Sequence, residues 1–154
     1  MKLRVASVED IDQMVQKGMA IHNESRFVRF DYDEKKLTAL LEELIKLSEA
    51  GSHLCLLMQN TEGVLVGCLI GVIEEYFFTN DKSANSILIW VEPSYRGSGA
   101  AIKMLDAFKQ WAMKKNAKEI NLSVSSGIRM ATTDRFFRKC GFVQTGGNYS
   151  MKLD

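Results

Sequence analysis

Residues 96–101 read Arg-Gly-Ser-Gly-Ala-Ala, a pattern that could bind an anion. The apolar run ILIWV ends just before them and an amphipathic stretch follows, so we expect a strand to turn into a helix here. The N-terminus of a helix presents unpaired N–H groups and a partial positive charge, and glycines let a phosphate approach the backbone closely. These residues alone leave two interpretations open: a phosphate site with Arg96 as an added cation, or a tight corner that needs small side chains.

Two common phosphate motifs do not fit this segment. The P-loop requires G-x-x-x-x-G-K-[ST], which occurs nowhere in the chain. The dinucleotide fingerprint G-x-G-x-x-G would use Gly97 and Gly99, but Ile102 stands in place of its third glycine. The segment also lies late in the chain, whereas that fingerprint opens the first βαβ unit. The sequence therefore argues against both types of nucleotide site.

The elements that position this segment follow from the hydrophobic periodicity, which predicts the order β-α-α-β-β-β-α-β-α-β-β in one α/β domain. A short first strand leads to Ser7, which forms a capping box with Asp10 at the start of the first helix. Asp31 or Asp33 caps the second helix, and Gly51 ends it.

The second part of the chain alternates between strands and helices. We expect a hairpin at 53–59 and 64–76, a loop at 79–85, a strand at 86–92, a long helix at about 99–116, a strand at 119–124 and a short helix at 133–141. The tail FVQTGGNYSMKL at 142–153 predicts two final strands joined across a Gly-Gly turn.

Composition limits the classes of function. With 154 residues, of which 46% are hydrophobic and 25% charged, the chain can bury one core. A net charge of +1 argues against nucleic acid or an anionic membrane as partner. The longest apolar run is about half of a membrane helix, and no apolar signal region opens the chain.

The cysteines and histidines point to no metal site or disulfide framework. Cys55, Cys68 and Cys140 are odd in number and lie in apolar patterns, which favours reduced core thiols in a cytoplasmic protein. The two histidines are far apart, and the cysteines are scattered, so no metal-ligand spacing is present.

The segment V-x-P-x-x-R-G-x-G-x-A resembles the pyrophosphate-binding motif [QR]-x-x-G-x-[GA] of the GNAT superfamily of acyl-CoA-dependent N-acyltransferases, matched here by Arg96, Gly99 and Ala101. The element order is also the GNAT order, and RFFRKCGF at 135–142 is similar to the family segment F-Y-x-K-x-G-F. IHNESRF, FDYDEKKL and LSVSSGI further resemble GNAT proteins of bacteriophages and prophages. The resemblance implies a GNAT fold: a single mixed, mostly antiparallel sheet with a central splay, flanked by about four helices.

The resemblance also implies acetyl-CoA as cofactor. In the family, backbone N–H groups of the loop and the first helical turn hold the pyrophosphate, and the preceding strand pairs with the pantetheine arm. The helix of the RFFRKCGF segment adds further contacts. Carried over to this sequence, the cofactor-binding residues are Ile89, Trp90, Val91, Arg96, Gly97, Ser98, Gly99, Ala100, Ala101, Thr133 and Phe137.

The implied activity is transfer of an acetyl group to a primary amine, which must be neutral to attack and therefore needs a base. Glu75, Glu74 and His22 are the candidates. By alternation one glutamate of the pair points toward the cleft, and Glu75 is preferred. Each also has a structural interpretation, as a solvated strand end or a core histidine.

Two departures from the family pattern bear on activity. Phe137 replaces the tyrosine that often protonates the leaving thiolate, and Met130 stands where an asparagine is common. Tyr149, Ser125, Ser126 or Thr133 could substitute, or the thiolate could leave unassisted. The alternative to an active enzyme is therefore a catalytically weak GNAT-fold module that binds CoA or a protein.

The acceptor is an unidentified amine of a small molecule or a protein, without nucleic acid or membrane as partner. Its wall is expected between the first two helices and along the strands. The candidate substrate residues are Glu24, Phe27, Arg29, Tyr76, Trp90 and Ser125. Since paired GNAT subunits are common, the resemblance allows a homodimer.

Overall fold

One five-stranded sheet forms the centre of the computed structural model, which describes residues 1–154. The strands lie in the order β1-β2-β3-β4-β5, and every neighbouring pair is antiparallel except β4 and β5, which run parallel. The strand bounds are β1 Lys2–Val5, β2 His53–Gln59, β3 Leu65–Glu75, β4 Lys82–Val91 and β5 Ala117–Asn121.

Four helices pack around the sheet: α1 Ile11–Glu24, α2 Glu34–Ala50, α3 Ala100–Lys114 and α4 Met130–Lys139. Two short 3-10 turns, Arg26–Arg29 and Pro93–Tyr95, follow α1 and β4. α1 and α2 cover one face of the sheet and α3 the other, so the core forms two apolar clusters on opposite sides. None of the helices combines the length and apolar character needed to cross a bilayer.

The apolar run of β3 follows from burial on both faces. Cys68 and Ile70 point toward α1 and α2, whereas Val66 and Leu69 point toward α3 and contact its buried side chains. A strand covered on both faces needs apolar residues at successive positions rather than at alternate ones. The sheet with its flanking helices confirms the predicted α/β architecture.

The predicted caps explain where the first two helices begin. The Ser7 N–H donates to the Asp10 carboxylate at 2.8 Å, and Arg4 of β1 holds the same carboxylate at 2.6 Å. Asp33 rather than Asp31 caps α2, because its side chain accepts a hydrogen bond from the Lys36 N–H. These bonds satisfy N–H groups that a helix start leaves unpaired.

Two predictions for the second half of the chain were wrong: the loop at 79–85 and the two strands of the tail. The segment expected to be a loop at 79–85 contributes Lys82–Asn85 to β4, since these residues pair with both β3 and β5. The tail 143–154 forms no strands, and its Val143, Tyr149, Met151 and Leu153 are exposed. Those four are the only large apolar side chains in the tail, so little burial is gained to offset the entropy of ordering it.

The three cysteines are free, but only two belong to the core. Burial raises the pKa of the Cys55 thiol to about 11 and that of Cys68 to about 12. Cys140 is exposed, contrary to prediction, because it follows α4, a helix that buries none of its residues fully.

The Arg4–Asp10 pair makes stability depend on pH. Arg4 holds the pKa of the Asp10 carboxyl below its usual range, so the charged form favours the folded state. This contribution is present above the unfolded pKa of about 3.9 and is lost as the pH falls through the folded value. We expect Asp10→Asn to lower the free energy of unfolding by about 1 kcal/mol at neutral pH, with a smaller difference in acid. Urea titrations at several pH values measure this, with Asp12→Asn as the exposed control; a pH-independent difference would contradict the assignment.

Candidate functional site

The central strands separate partway along their length. β4 pairs with β5 only over Lys82–Asn85, and from Ser86 to Val91 its only strand partner is β3. Its outer edge therefore presents main-chain N–H and C=O groups without a neighbouring strand, an arrangement with which an extended ligand can pair. This separation confirms the predicted splay and places the segment 89–91 along the open edge.

A bulge lies at the inner end of this edge. Leu88 pairs with Ile70 and Ser86 pairs with Gly71, so Ile87 is an extra residue without a partner on β3. A bulge bends its strand and re-aims its side chains. Here it leaves Ile87 54% exposed beside the point of separation.

The loop from β4 to α3 has the geometry of an anion site. Gly97 and Gly99 have φ of +85° and +88°, and the space beside each Cα is empty out to 4 Å. Their N–H groups make no backbone hydrogen bond, and the first bond into α3 runs from Lys103 to the Gly99 carbonyl. The N–H groups at the start of α3 are therefore also free of main-chain partners, as at any helix N-terminus.

Two ion pairs connect α1 to this loop. Arg96 donates two bonds to the Glu24 carboxylate, at 2.8 and 2.9 Å, and a third to the Val91 carbonyl at 3.0 Å. Lys17 lies 2.8 Å from Glu92. Glu24 and Arg96, predicted as a substrate residue and a phosphate cation, thus neutralise each other. Since the N–H groups of Arg96 and Ser98 already donate to the carbonyls of Pro93 and Tyr95, the free backbone donors before α3 are those of Gly97 and Gly99.

An apolar cavity of about 230 Å³, which we call the α1–α2 cavity, lies between α1, α2 and the sheet. Thirteen of its fifteen lining residues are hydrophobic, among them Met14, Ile21, Leu37, Leu44, Leu88 and Trp90. Trp90 is only 6% exposed, and its indole Nε1–H has no hydrogen-bond partner. Leu40 and Ile87 are half exposed, which places them at the mouth.

Tyr32 and Gly18 form part of the cavity wall. The Tyr32 hydroxyl donates to the Val15 carbonyl at 2.6 Å, and a Cβ on Gly18 would lie 2.5 Å from that oxygen. Burial raises the pKa of Tyr32, and Glu34 adds to the shift, so the hydroxyl stays a donor at neutral pH. The ring of His22 lies 5.3 Å from that of Tyr32, and its Nε2 is buried without a partner.

A polar cluster marks the point where β4 and β5 part. Asn85 donates to Glu74 at 2.6 Å, and Asn121 donates to Asn85 at 2.8 Å. Tyr76 donates to Glu119 at 2.5 Å, which raises the pKa of Tyr76 and lowers that of Glu119. The cluster joins three strands and presents two carboxylates beside the splay.

The two adjacent glutamates of β3 differ in their surroundings. Side chains alternate along a strand, so Glu74 shares the α1–α2 face with Ile70 and belongs to the polar cluster. Glu75 points to the opposite face and lies with residues 76–80 at the exposed turn after β3.

The comparison with known proteins decides the family. The model of the Acetyltransferase (GNAT) family matches residues 18–142, most of the chain. The chain belongs to the GNAT family. No curated protein matches the sequence.

Solved structures show the GNAT fold along the whole chain. Glucosamine-6-phosphate N-acetyltransferase from Arabidopsis thaliana aligns with a TM-score of 0.75 and 17% identity over 99% of this chain and 98% of that one. Aminoglycoside 6'-N-acetyltransferase from Acinetobacter baumannii aligns with a TM-score of 0.74 and 18% identity over 99% of this chain and 97% of that one. Ribosomal-protein-alanine N-acetyltransferase from Brucella melitensis biovar Abortus 2308 aligns with a TM-score of 0.74 and 14% identity over 99% of this chain and 100% of that one. The likeness to phage-borne GNAT proteins stays a prediction.

The other residues predicted from the GNAT resemblance lie on α4, just after it or in the tail. Phe137 packs between Phe136 and Phe142, while Thr133 is half-buried on α4 and Met130 is exposed. Tyr149 is 98% exposed in the tail, so it is not held near the other candidates.

The segment after α1 is fastened to the loop after β5. Arg26 donates to the carbonyls of Ser125 and Ser126, and its guanidinium lies over the Phe27 ring. Arg29 pairs with Asp154 of the tail. The turn that carries Phe27 and Arg29 thus lies beside Ser125. The Arg29 guanidinium and the Ser125 carbonyl are already bonded within the protein, whereas the Ser125 hydroxyl makes no hydrogen bond.

Sequence reasoning missed the bulge and most of the polar cluster of this GNAT chain. Glu119 and Asn121 stand two residues apart, the spacing that places side chains on one face of a strand, and this polar pair was a usable signal. Asn85 was missed because residues 79–85 were predicted to form a loop. Nothing in the sequence marks Ile87 as an extra residue.

Gly18 offers a test of the cavity wall. Gly→Ala inside a helix normally stabilises by about 1 kcal/mol, but here the added methyl would displace the Tyr32 hydroxyl and cost its hydrogen bond. We expect Gly18→Ala to lower the free energy of unfolding in the natural chain and to raise it in the Tyr32→Phe background. Denaturant titration of the double-mutant cycle checks this; equal effects in both backgrounds would rule out the contact.

Proposed function

We propose that this GNAT protein is an acetyl-CoA-dependent N-acetyltransferase that acts on a primary amine. The observation that carries the proposal is that the free N–H groups of Gly97, Gly99 and the start of α3 follow directly after an open strand edge. The first suits a diphosphate and the second suits a pantetheine amide chain. We place the protein in the cytoplasm, with a small molecule or a protein as acceptor.

The cofactor residues follow from this arrangement. The backbone of 96–101 would hold the pyrophosphate, and the main chain of 89–91 would pair with the pantetheine arm. Ile89 and Val91 keep their side chains in the core toward α3. Acetyl-CoA, when bound, supplies the thioester from which the acetyl group is taken.

Glu74 is the base that the geometry favours. It lies beside the point of separation, on the face that carries the α1–α2 cavity, and Asn85 orients its carboxylate. A carboxylate there can accept the proton of the attacking amine through a water. Glu75 points to the other face, and the buried Nε2 of His22 lies behind Tyr32, so both are weaker candidates for this role.

The environment of Phe137 bears on the departure of the thiolate. The rings of Phe136 and Phe142 lie about 6 Å from that of Phe137, and α4 brings no tyrosine to this position. Because thiols have a pKa near about 8.5, the leaving group does not require a proton donor. The same observation motivates the second candidate function, a CoA-binding module with weak catalysis, which would bind acetyl-CoA but release no thiol with any amine.

The loop is tested by Gly99→Val. A side chain is strained at this positive φ, and relaxation of the backbone would turn the N–H groups away from the pyrophosphate. We expect the Kd for CoA to rise about tenfold or more, as a strain of one to three kcal/mol implies. Gly63→Val is the matched control, since Gly63 has a φ of +79° and equally empty space but lies in the turn between β2 and β3. Calorimetric titration with CoA measures both, and unchanged affinity in Gly99→Val would place the cofactor elsewhere.

The base is tested by Glu74→Gln, with Glu75→Gln as the control on the opposite face. Loss of a general base should lower kcat about a hundredfold or more while the Kd for CoA stays unchanged. Thiol release with acetyl-CoA and the best amine of a broad panel gives kcat for each variant. A large loss in Glu75→Gln with normal turnover in Glu74→Gln would exchange the two assignments.

A further inference from the structure

The α1–α2 cavity opens beside the point where β4 and β5 separate. Ile87, the bulge residue, lines the cavity and also stands where the open edge of β4 begins. A ligand in the cavity can therefore reach a group that is bound along that edge. Leu40 and Ile87 are apolar yet 53% and 54% exposed, so a ligand at the mouth would also cover surface that water now contacts.

The charges around the cavity disfavour a polycationic acceptor. No carboxylate lines it, and the only charged lining residue, Lys17, is already paired with Glu92. The nearby Glu24 is engaged by both terminal nitrogens of Arg96. A second ammonium group or an array of hydroxyls buried here would find no partner for its charge or its hydrogen bonds, and such burial is costly.

The wall offers one free polar group. Trp90 is nine-tenths buried, lines the cavity and has an indole N–H that donates to nothing in the protein. A donor left unpaired inside an apolar wall is unfavourable, so a ligand that brings one acceptor atom or a π-face would relieve it. This fits a ligand with a single polar point on an apolar body.

The volume sets the size of that body. An apolar cavity of about 150 Å³ can hold benzene. At about 230 Å³ the α1–α2 cavity has room for one aromatic ring and a short alkyl arm. A polar molecule of similar size, such as an amino sugar, would not find the hydrogen bonds that it needs there.

We propose that the acceptor is an arylalkylamine, with its ring in the α1–α2 cavity and its amine at the mouth beside Ile87. This inference rests on the proposed acetyltransferase function and names its substrate class. Apolar surroundings lower the pKa of an amine, so the cavity would itself favour the neutral form that attacks the thioester. In the transfer, the amine nitrogen forms a bond to the acetyl carbonyl carbon, the carbon–sulfur bond breaks, the thiolate leaves with its electron pair, and the amine proton passes to the base.

The test compares phenethylamine, putrescine and glucosamine as acceptors with acetyl-CoA, in the natural chain and in two variants. Leu40→Lys places a positive charge at the mouth, where it repels the ammonium form of the amine, and Met113→Lys places one at a similarly exposed apolar position on α3. We expect the highest kcat/KM with phenethylamine, a loss of about tenfold or more in Leu40→Lys, and no change in Met113→Lys. A preference for putrescine or glucosamine, or equal rates in the two variants, would overturn the proposal.

Further measurements distinguish a failure of the cavity assignment from a failure of the proposed function. Calorimetric binding of phenethylamine without an acyl donor, weakened by Leu40→Lys, supports the cavity assignment even if no thiol is released and the proposed function fails. Conversely, thiol release with other amines but not with phenethylamine keeps the function and rejects the acceptor class. If Leu40→Lys instead weakens only the binding of hexanoyl-CoA relative to that of acetyl-CoA, the cavity holds an acyl chain and the amine assignment is wrong.

Discussion

The end of β4–β5 pairing at Asn85 is the constraint on which the site depends. Past this point β4 has one neighbour instead of two, so a stretch of main chain inside the sheet keeps unmatched hydrogen-bonding groups. Such an edge is unfavourable unless something pairs with it. The glycine-containing loop, the start of α3, the bulge and the polar cluster are all arranged along or at the ends of this edge. The geometry of the sheet therefore places the glycine-containing loop at one end of this edge and the Glu74 carboxylate at the other.

The ion pairs of α1 give the site its second wall. Lys17–Glu92 and Glu24–Arg96 hold the helix to the segment between β4 and α3, while Tyr32 bonds back to α1 across Gly18. Because these contacts use up the charges nearest the loop, they leave a backbone anion site and an apolar cavity side by side. That combination suits a diphosphate-bearing donor and an uncharged acceptor better than two polar substrates.

The sequence was enough to predict the five strands that form the sheet, though not all their limits, as well as the four helices and the family, because these depend on local periodicity, capping residues and a motif with few alternatives. Asp10, Asp33 and the paired glycines at 97 and 99 each have a short-range physical reason that the chain displays. What the sequence could not show depends on pairing across strands and helices. The bulge at Ile87, the use of Glu24 by Arg96 and the face occupied by Glu74 are set by register and packing, and Cys140 is exposed only because α4 buries so little.

In the proposed function, acetyl-CoA lies along the open edge of β4 with its pyrophosphate on the loop before α3. Amide chemical-shift changes during a titration with CoA test this placement, since every backbone N–H reports separately. We expect saturable shifts at Ile89, Val91, Gly97, Gly99 and Ala101, with none along β1 at the far side of the sheet. Saturable shifts confined to other surfaces, or no saturation at all, would contradict it.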